Sequence, residues 1–337
     1  MTSEVRAVDE RGVVFCDMRT ARSEHSDLID RYFGTALPAS DTELPERSVD
    51  ARPGGAFIYV PPGVKVELPL EAFSRTDATP IDQFERTLLI ADEGSTVHYI
   101  DGCSAPRYTA HPTHAAVVEI IVQDSARVSY TATQNWSLNV HNAARRRARV
   151  AANGHIEWID ATLGSNRTVR GPAVDLVGNG ATCNVLSVAY AGLGQRQDVG
   201  VEVRHEAAGT VSTIVSKSIS NGGEISNSAA VVHVADGANG VRSNVAYDVL
   251  SLGANETADV GPISVLGASG GRIDHSTTVT SIADEQRFYL MSRGLSSQQA
   301  VAAVVNGFIA PVTASLPIEY AVEWSRLVDL QVAGAVG

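Results

Sequence analysis

From Ala56 to about Ile282 the sequence has almost no helical period and is built of short alternating runs. Phe57-Ile58-Tyr59-Val60, Thr87-Leu88-Leu89-Ile90, Ala116 to Val122, Val128 to Ala132, His155 to Ile159, Val185 to Tyr190 and Val231 to Val234 are examples. Turns such as Asn153-Gly154 and Asp236-Gly237 separate them. A period of two is strand behaviour. So long a series of strands cannot stay an open flat sheet without exposed edges. A barrel, a sandwich or a β-helix would solve that problem. Several runs are apolar on both alternating positions and Ala, Ser, Gly and Thr dominate the rest, which suits the stacked coils of a solenoid, although no strict repeat motif is present.

The rhythm changes between Ile273 and Gly294. Ile273, His275, Thr277 and Val279 alternate with Asp274, Ser276 and Thr278; Phe288, Met291 and Leu295 then recur at helical spacing. Ser281 with Asp284 predicts a capping-box-like start, and Gly294 a left-handed close. Two further helices are predicted, Ser297 to Ile309 and Pro317 to about Val332, each with an apolar stripe. Near the N-terminus, Gly12 to Cys16 reads as a strand and Ser23 to Phe33 as a short amphipathic helix ending at Gly34; Pro38 to Arg52 reads as loop. The divisions expected are a short N-terminal segment (1–52), a β core (53–281) and a C-terminal helical domain (282–337).

The net charge of −12 argues against nucleic acid as a partner, because phosphate binding needs clustered Lys and Arg. One basic run, Arg145-Arg146-Arg147 with Arg149, reads most simply as an exposed strand edge. No run of apolar residues is long enough to span a membrane, and the charged N-terminus has no signal-peptide core, so a cytoplasmic protein is expected. Cys16, Cys103 and Cys183 are an odd, scattered set with no CxxC pair, against a disulfide framework or a zinc ribbon. Any metal would need ligands gathered from distant parts of the chain. On alternation alone His275 is a core histidine or a ligand, and Cys103 a buried small hydrophobe or a reactive thiol. His111, His114 and His141 have no specific spacing.

FIYVPPGVKVELPL (57–70), QFERTLLIADEGSTVHYIDGCSAP (83–106), TATQNWS (131–137), EWIDATLGS (157–165), IVSKSIS (214–220) and the tail from Asp274 through NGFIAPVTASLPIEYAVEW resemble SufB, of the SufB/SufD family. That family supplies the scaffold of the SUF iron–sulfur cluster assembly system. The resemblance runs from about residue 8 to 337, with a shorter N-terminal region than usual. It implies a mainly β protein: a right-handed parallel β-helix with a small N-terminal α/β segment and a C-terminal helical domain. It also implies a non-catalytic scaffold that takes sulfur from a cysteine desulfurase system. The C-terminal helices would dock a SufC-type ABC ATPase, and the β-helix end would pair with a SufD-like subunit or a second copy. The candidate docking residues are Phe288, Met291, Val304, Phe308, Tyr320 and Trp324.

By the same resemblance Cys103, in the GCSAP turn, is the sulfur acceptor, with Gln134, Trp136, Arg75 and Asp77 along the route and Arg146 where lysine is usual. A cation beside a thiol favours the reactive thiolate. Cluster or iron ligands would be His275 and Asp274, with Glu256 standing where many SufB chains have cysteine; a second family cysteine falls on Tyr247. An expected arginine is missing from Asn227 to Ala230. Glutamate is a hard ligand, so Glu256 suits iron better than a sulfide-bridged cluster. The cofactor expected is a transient iron–sulfur cluster or iron, with flavin left open. The alternatives are a SufD-like structural partner that holds no cluster, a paralogue diverted to another iron or sulfur task and, more remotely, a carbohydrate-active β-helix.

Overall fold

The computed structural model describes residues 7–8, 11–38, 55–75, 83–104, 112–169, 171–226, 230–253, 258–259, 263–266, 271–316 and 318–332. The alternating runs form a parallel β-solenoid of about six turns. Its walls are an eight-stranded and a fourteen-stranded sheet. In the eight-stranded sheet Leu70–Arg75, Thr96–Ser104, Arg127–Trp136, His155–Gly164, Thr182–Gly192, Val211–Asn221, Arg242–Ser251 and Arg272–Ser281 stack in chain order. Each pairs in parallel with the next. The facing wall stacks Gln83–Ala91, Thr113–Val122 and His141–Val150, and then continues in two branches, one through Arg167–Val169 and one through Ala173–Leu176.

Strict alternation decides the layers. The inward phase of both walls carries a buried apolar core that includes Tyr99, Tyr130, Trp158, Ile120, Val150 and Val203. The outward phase of the eight-stranded sheet (Ile159, Ala161, Leu163, Val188, Tyr190, Ile219 and Leu250) packs under Val305, Ile309, Val312, Trp324 and Val328 of the C-terminal helices. On the opposite outer face a small N-terminal unit packs Met18, Ala21 and Tyr32 against Phe57, Leu88, Ile90 and Ile121. Glu119 ties this unit down: fully buried, it accepts backbone N–H groups of Gly34, Ala36 and Leu37 and pairs with Arg86.

Several local expectations are corrected. The single N-terminal helix is two, Met18–Glu24 and Ser26–Tyr32, because Asp17 caps the backbone earlier by accepting from Arg19 and Thr20 and the chain breaks at His25. Ser281 does not cap a helix: it is held in the strand ladder opposite Ser251, and the helix Asp284–Ser292 starts after Ala283 with no side-chain cap. The next helix runs Ser297–Thr313, through Pro311. Proline there removes one N–H, and burial of Ile309 and Val312 against the sheet holds the last turn. The arginine run is not an edge: His141–Val150 has neighbours on both sides, and Arg146 is buried.

Candidate functional site

Two columns of side chains face each other inside the solenoid. On the eight-stranded wall the register runs Cys103, Gln134, Thr162, Ala189, Ser218, Val249, Val279. On the other it runs His114, Asn142, Thr168, Gln197, Ile225. Each coil therefore contributes one residue per wall, and the first rungs are polar. A narrow cavity continues the seam past Arg146, Asp160, Thr162, Thr168, Ser187 and Gln197. The seam then ends, because Ala189, Ala191, Val199, Ile225 and Val249 form a buried apolar cluster.

At the first rungs the hydrogen-bond pattern fixes the histidine tautomer. The Trp136 indole can only donate, and it points at Gln134 Oε1, 3.5 Å away. The same oxygen accepts from Asn142 Nδ2 at 2.6 Å. Asn142 Oδ1 therefore faces His114 Nδ1 at 3.0 Å, so Nδ1 donates, and in the neutral ring the lone pair is on Nε2. The imidazole lies against Trp136, ring centroids 4.2 Å apart. Gly164 follows on the next coil with φ +75°, and a Cβ there would meet the Trp136 carbonyl oxygen at 1.6 Å. Only glycine lets these coils stack so closely.

Cys103 sits in a strand and not in a turn, buried beside Trp136 and Val140. Burial pushes its thiol well above the ordinary range, and the Asp101 and Glu85 carboxylates push the same way; Arg146 opposes them and is outweighed. Arg146 is turned to Asp160, which it grips through two nitrogens at 2.5 and 2.8 Å. Arg146 thus favours the Cys103 thiolate, as a neighbouring cation should, but burial and the two carboxylates outweigh it. Asp101 is raised to about 6, by desolvation first and then by Glu85, while a Tyr130 hydroxyl bond at 3.1 Å pulls it down. Its carboxylate lies 3.9 Å from the thiol sulfur.

Glu85, Cys103 and His114 bring a carboxylate oxygen, a thiol sulfur and a ring nitrogen within 4.8 Å of one another. Sequence spacing gave no hint of Glu85 or His114 because they come from different coils. The signal lay in phase: Glu85 alternates with inward Leu89 and His114 with inward Val118, so both are ionisable residues at core positions.

The far end looks different. His275 does occupy the inward phase, at the end of the column Tyr99, Tyr130, Trp158, Val185, Ile214, Val245. It is exposed and not a core histidine, because its strand lies at the end of the eight-stranded sheet. Asp274 is exposed and pairs with Arg272 at 2.6 Å. Tyr247 is buried and accepts the Val201 N–H at 3.1 Å. Glu256, Asp77 and Asn227 to Ala229 lie outside the described residues. Arg75 closes the Leu70–Arg75 strand in register with Ser104.

Of the docking candidates, Phe288 and Met291 are 73% and 43% exposed on a helix with no buried residue. Val304, Phe308 and Tyr320 pack half-buried on the sheet's outer cluster. Trp324 is 3% exposed at the centre of that cluster, so its surface is spent on this chain's own sheet and not offered to a partner.

The profile described as SUF system FeS cluster assembly, SufBD core domain, matches residues 74–308. The chain belongs to the SufBD family. An iron-sulfur cluster assembly SufBD family protein of Staphylococcus aureus (strain MRSA252) is 44% identical over 333 residues, 98% of this chain and 71% of that protein. One from Staphylococcus haemolyticus (strain JCSC1435) matches to the same extent. The solenoid, its interior seam and the C-terminal helices are thus those of a SufBD family protein. No helix among the described residues is long and apolar enough to cross a membrane.

Proposed function

We propose that this SufBD family chain is a non-catalytic scaffold subunit that accepts sulfur on Cys103 during iron–sulfur cluster assembly. The observation that carries this reading is the burial of the thiol at the head of a polar seam shared with Gln134, Asn142 and Arg146. The step is a transfer between sulfurs: the Cys103 thiol loses its proton, Asp101 being the neighbouring carboxylate, and its sulfur attacks the terminal sulfur of a donor persulfide. A new S–S bond forms on Cys103, the donor's S–S bond breaks, and the donor thiolate leaves, with no net redox change.

A SufC-type ATPase would dock on the exposed Phe288, Tyr289 and Met291 side chains. A SufD-like subunit or a second copy would pair against the Arg272–Ser281 strand, the end of the eight-stranded sheet. ATP-driven movement of the helices would then act on that end. The test is incubation of the full chain with a cysteine desulfurase and cysteine, followed by peptide mass spectrometry. One added sulfur on Cys103, absent in Cys103→Ser while ATPase binding is unchanged, supports the reading; sulfur on other cysteines, or equal loading of the variant, sinks it.

The closed seam and the Asp274–Arg272 pair favour a second reading, a structural partner that holds no cluster at the His275 end. Anaerobic reconstitution with iron and sulfide separates the two: a colourless chain that still binds the ATPase favours the partner.

A further inference from the structure

We propose that Glu85, Cys103 and His114 form a site for one borderline divalent metal ion, of the ferrous or zinc class, inside the solenoid. Its place in cluster assembly rests on the sulfur-acceptor reading above, whereas its existence does not.

Three independent observations converge. The first is geometric: three donors from three strands on two walls lie within 4.8 Å of one another. A carboxylate, a thiolate and an imidazole are a mixed hard, soft and borderline set that suits Fe²⁺, Co²⁺ or Zn²⁺ and poorly suits Mg²⁺ or Ca²⁺.

The second is the orphaned nitrogen. The His114 ring is 2% exposed, and its Nε2 has no hydrogen-bond partner. The nearest Glu85 oxygen is 3.7 Å away, beyond hydrogen-bond reach. The Trp136, Gln134 and Asn142 series holds a proton on Nδ1, so in the neutral ring the lone pair is on Nε2, the nitrogen on the Glu85 side. A buried acceptor held in that form without a donor costs free energy unless something electron-poor sits before it. An outer amide on the far nitrogen is also how metal-bound histidines are oriented.

The third is charge. An Asp101 oxygen lies 3.9 Å from the sulfur and a Glu85 oxygen within 4.8 Å of it, while the buried Arg146 is gripped by Asp160. A divalent ion supplies the missing positive charge and would convert the thiol to thiolate on binding, releasing its proton. Three protein donors leave a further position open. The ion would thus activate the same sulfur that accepts sulfane sulfur and place iron beside it. The apolar cluster of Ala189, Val199, Ile225 and Val249 closes the seam beyond, so metal and sulfur would meet here and not at the His275 end.

The experiment is an anaerobic titration of the full chain, first stripped with chelator, with Co²⁺ alone. One ion should bind, with a thiolate-to-cobalt charge-transfer band and a rise in melting temperature. Cys103→Ser should lose the band. Asn142→Ala keeps all three donors and frees the ring, and should weaken binding by about 10- to 100-fold. His275→Ala should match the wild type. Absence of the band in the wild type, its survival in Cys103→Ser or its loss in His275→Ala would each overturn the site. Should Cys103→Ser not fold, Glu85→Gln and Asn142→Ala decide: unchanged cobalt affinity in both removes the site. A chain that accepts sulfur on Cys103 but shows no cobalt band refutes this inference alone, and a chain that binds cobalt through Cys103 but takes no sulfur refutes the scaffold reading alone.

Discussion

Arg146 and Asp160 meet in a two-pronged ion pair inside the solenoid, 2.5 and 2.8 Å between the guanidinium nitrogens and the carboxylate oxygens. The residues come from opposite walls, so the pair ties the two sheets together at the cavity that prolongs the Cys103 seam. Removing one partner strands the other charge in a low-dielectric interior. Arg146→Met should therefore cost about 3–5 kcal/mol in urea unfolding, and the double variant Arg146→Met with Asp160→Asn should recover most of it. The thiol responds separately. The Arg146 charge favours the Cys103 thiolate against burial and the carboxylates, so the double variant should show slower Cys103 alkylation even where its stability is restored.

Asp101 works in the opposite direction. Above its own pKa of about 6 it is a carboxylate beside the thiol and opposes thiolate formation. Asp101→Asn removes that charge with little change in shape. At pH 8, alkylation of Cys103, read by peptide mapping so that Cys16 and Cys183 are distinguished, should quicken on the order of tenfold for each unit by which the thiol falls. The advantage should shrink below pH 6, where the wild-type Asp101 is itself protonated. Equal rates at pH 8 would show that desolvation alone sets the thiol.

The β body is legible in the alternating runs, whereas its closing into a solenoid, rather than a barrel or a sandwich, is specified by the family resemblance. The stacking is not legible. Equivalent rungs are 27 residues apart at His155 and Thr182 but 31 apart at Ser212 and Ser243, so no fixed period marks which residues become neighbours. Cys103, Gln134, Trp136 and Arg146 were found through family resemblance, and the structure puts them around one seam. Glu85 and His114 escaped because a site assembled across coils leaves no short motif, only an ionisable residue on a core phase. Alternation puts His275 on the inward phase and leaves core and ligand roles open; exposure removes the core role, because whether another coil covers a side chain depends on where the stack ends. The docking role of Trp324 comes from the family resemblance, and its helical stripe does not say whether the surface it meets is its own chain or another.

That distinction can be tested on the C-terminal helices. Phe288 and Met291 are exposed on the Asp284–Ser292 helix, so Phe288→Ala with Met291→Ala should change folding stability by no more than about 0.5 kcal/mol. The same double variant should weaken binding of a SufC-type ATPase, measured by calorimetry, by about 2 kcal/mol or more if these side chains are interface anchors. Trp324→Ala should behave in reverse order. It opens the cluster between the helices and Leu163, Val188 and Tyr190, and should cost about 3–5 kcal/mol of stability first. Loss of ATPase binding in Trp324→Ala without loss of stability would return that indole to the interface.

His205 gives the solenoid an acid-sensitive rung. It is fully buried, with Nδ1 2.8 Å from the Thr210 hydroxyl and Nε2 3.0 Å from that of Ser212, which in turn bonds Ser243 at 2.7 Å. Burial lowers its pKa from 6.5 to about 4. Between those values the unfolded chain binds a proton that the folded chain refuses. The contribution is therefore complete above pH 6.5 and is lost as pH falls toward 4. Integrated over that window it amounts to roughly 3 kcal/mol. His205→Gln cannot titrate and keeps a hydrogen-bonding side chain, so it should be the less stable protein at pH 7 through imperfect packing. Its deficit should then close by up to about 3 kcal/mol by pH 4, because the wild type alone loses this term. Every other titrating group is common to both chains and cancels in the difference. Urea unfolding at half-unit steps from pH 7 to 4 measures it, and parallel stability curves for the two proteins would mean that His205 is protonated in the folded state, with both hydroxyls accepting.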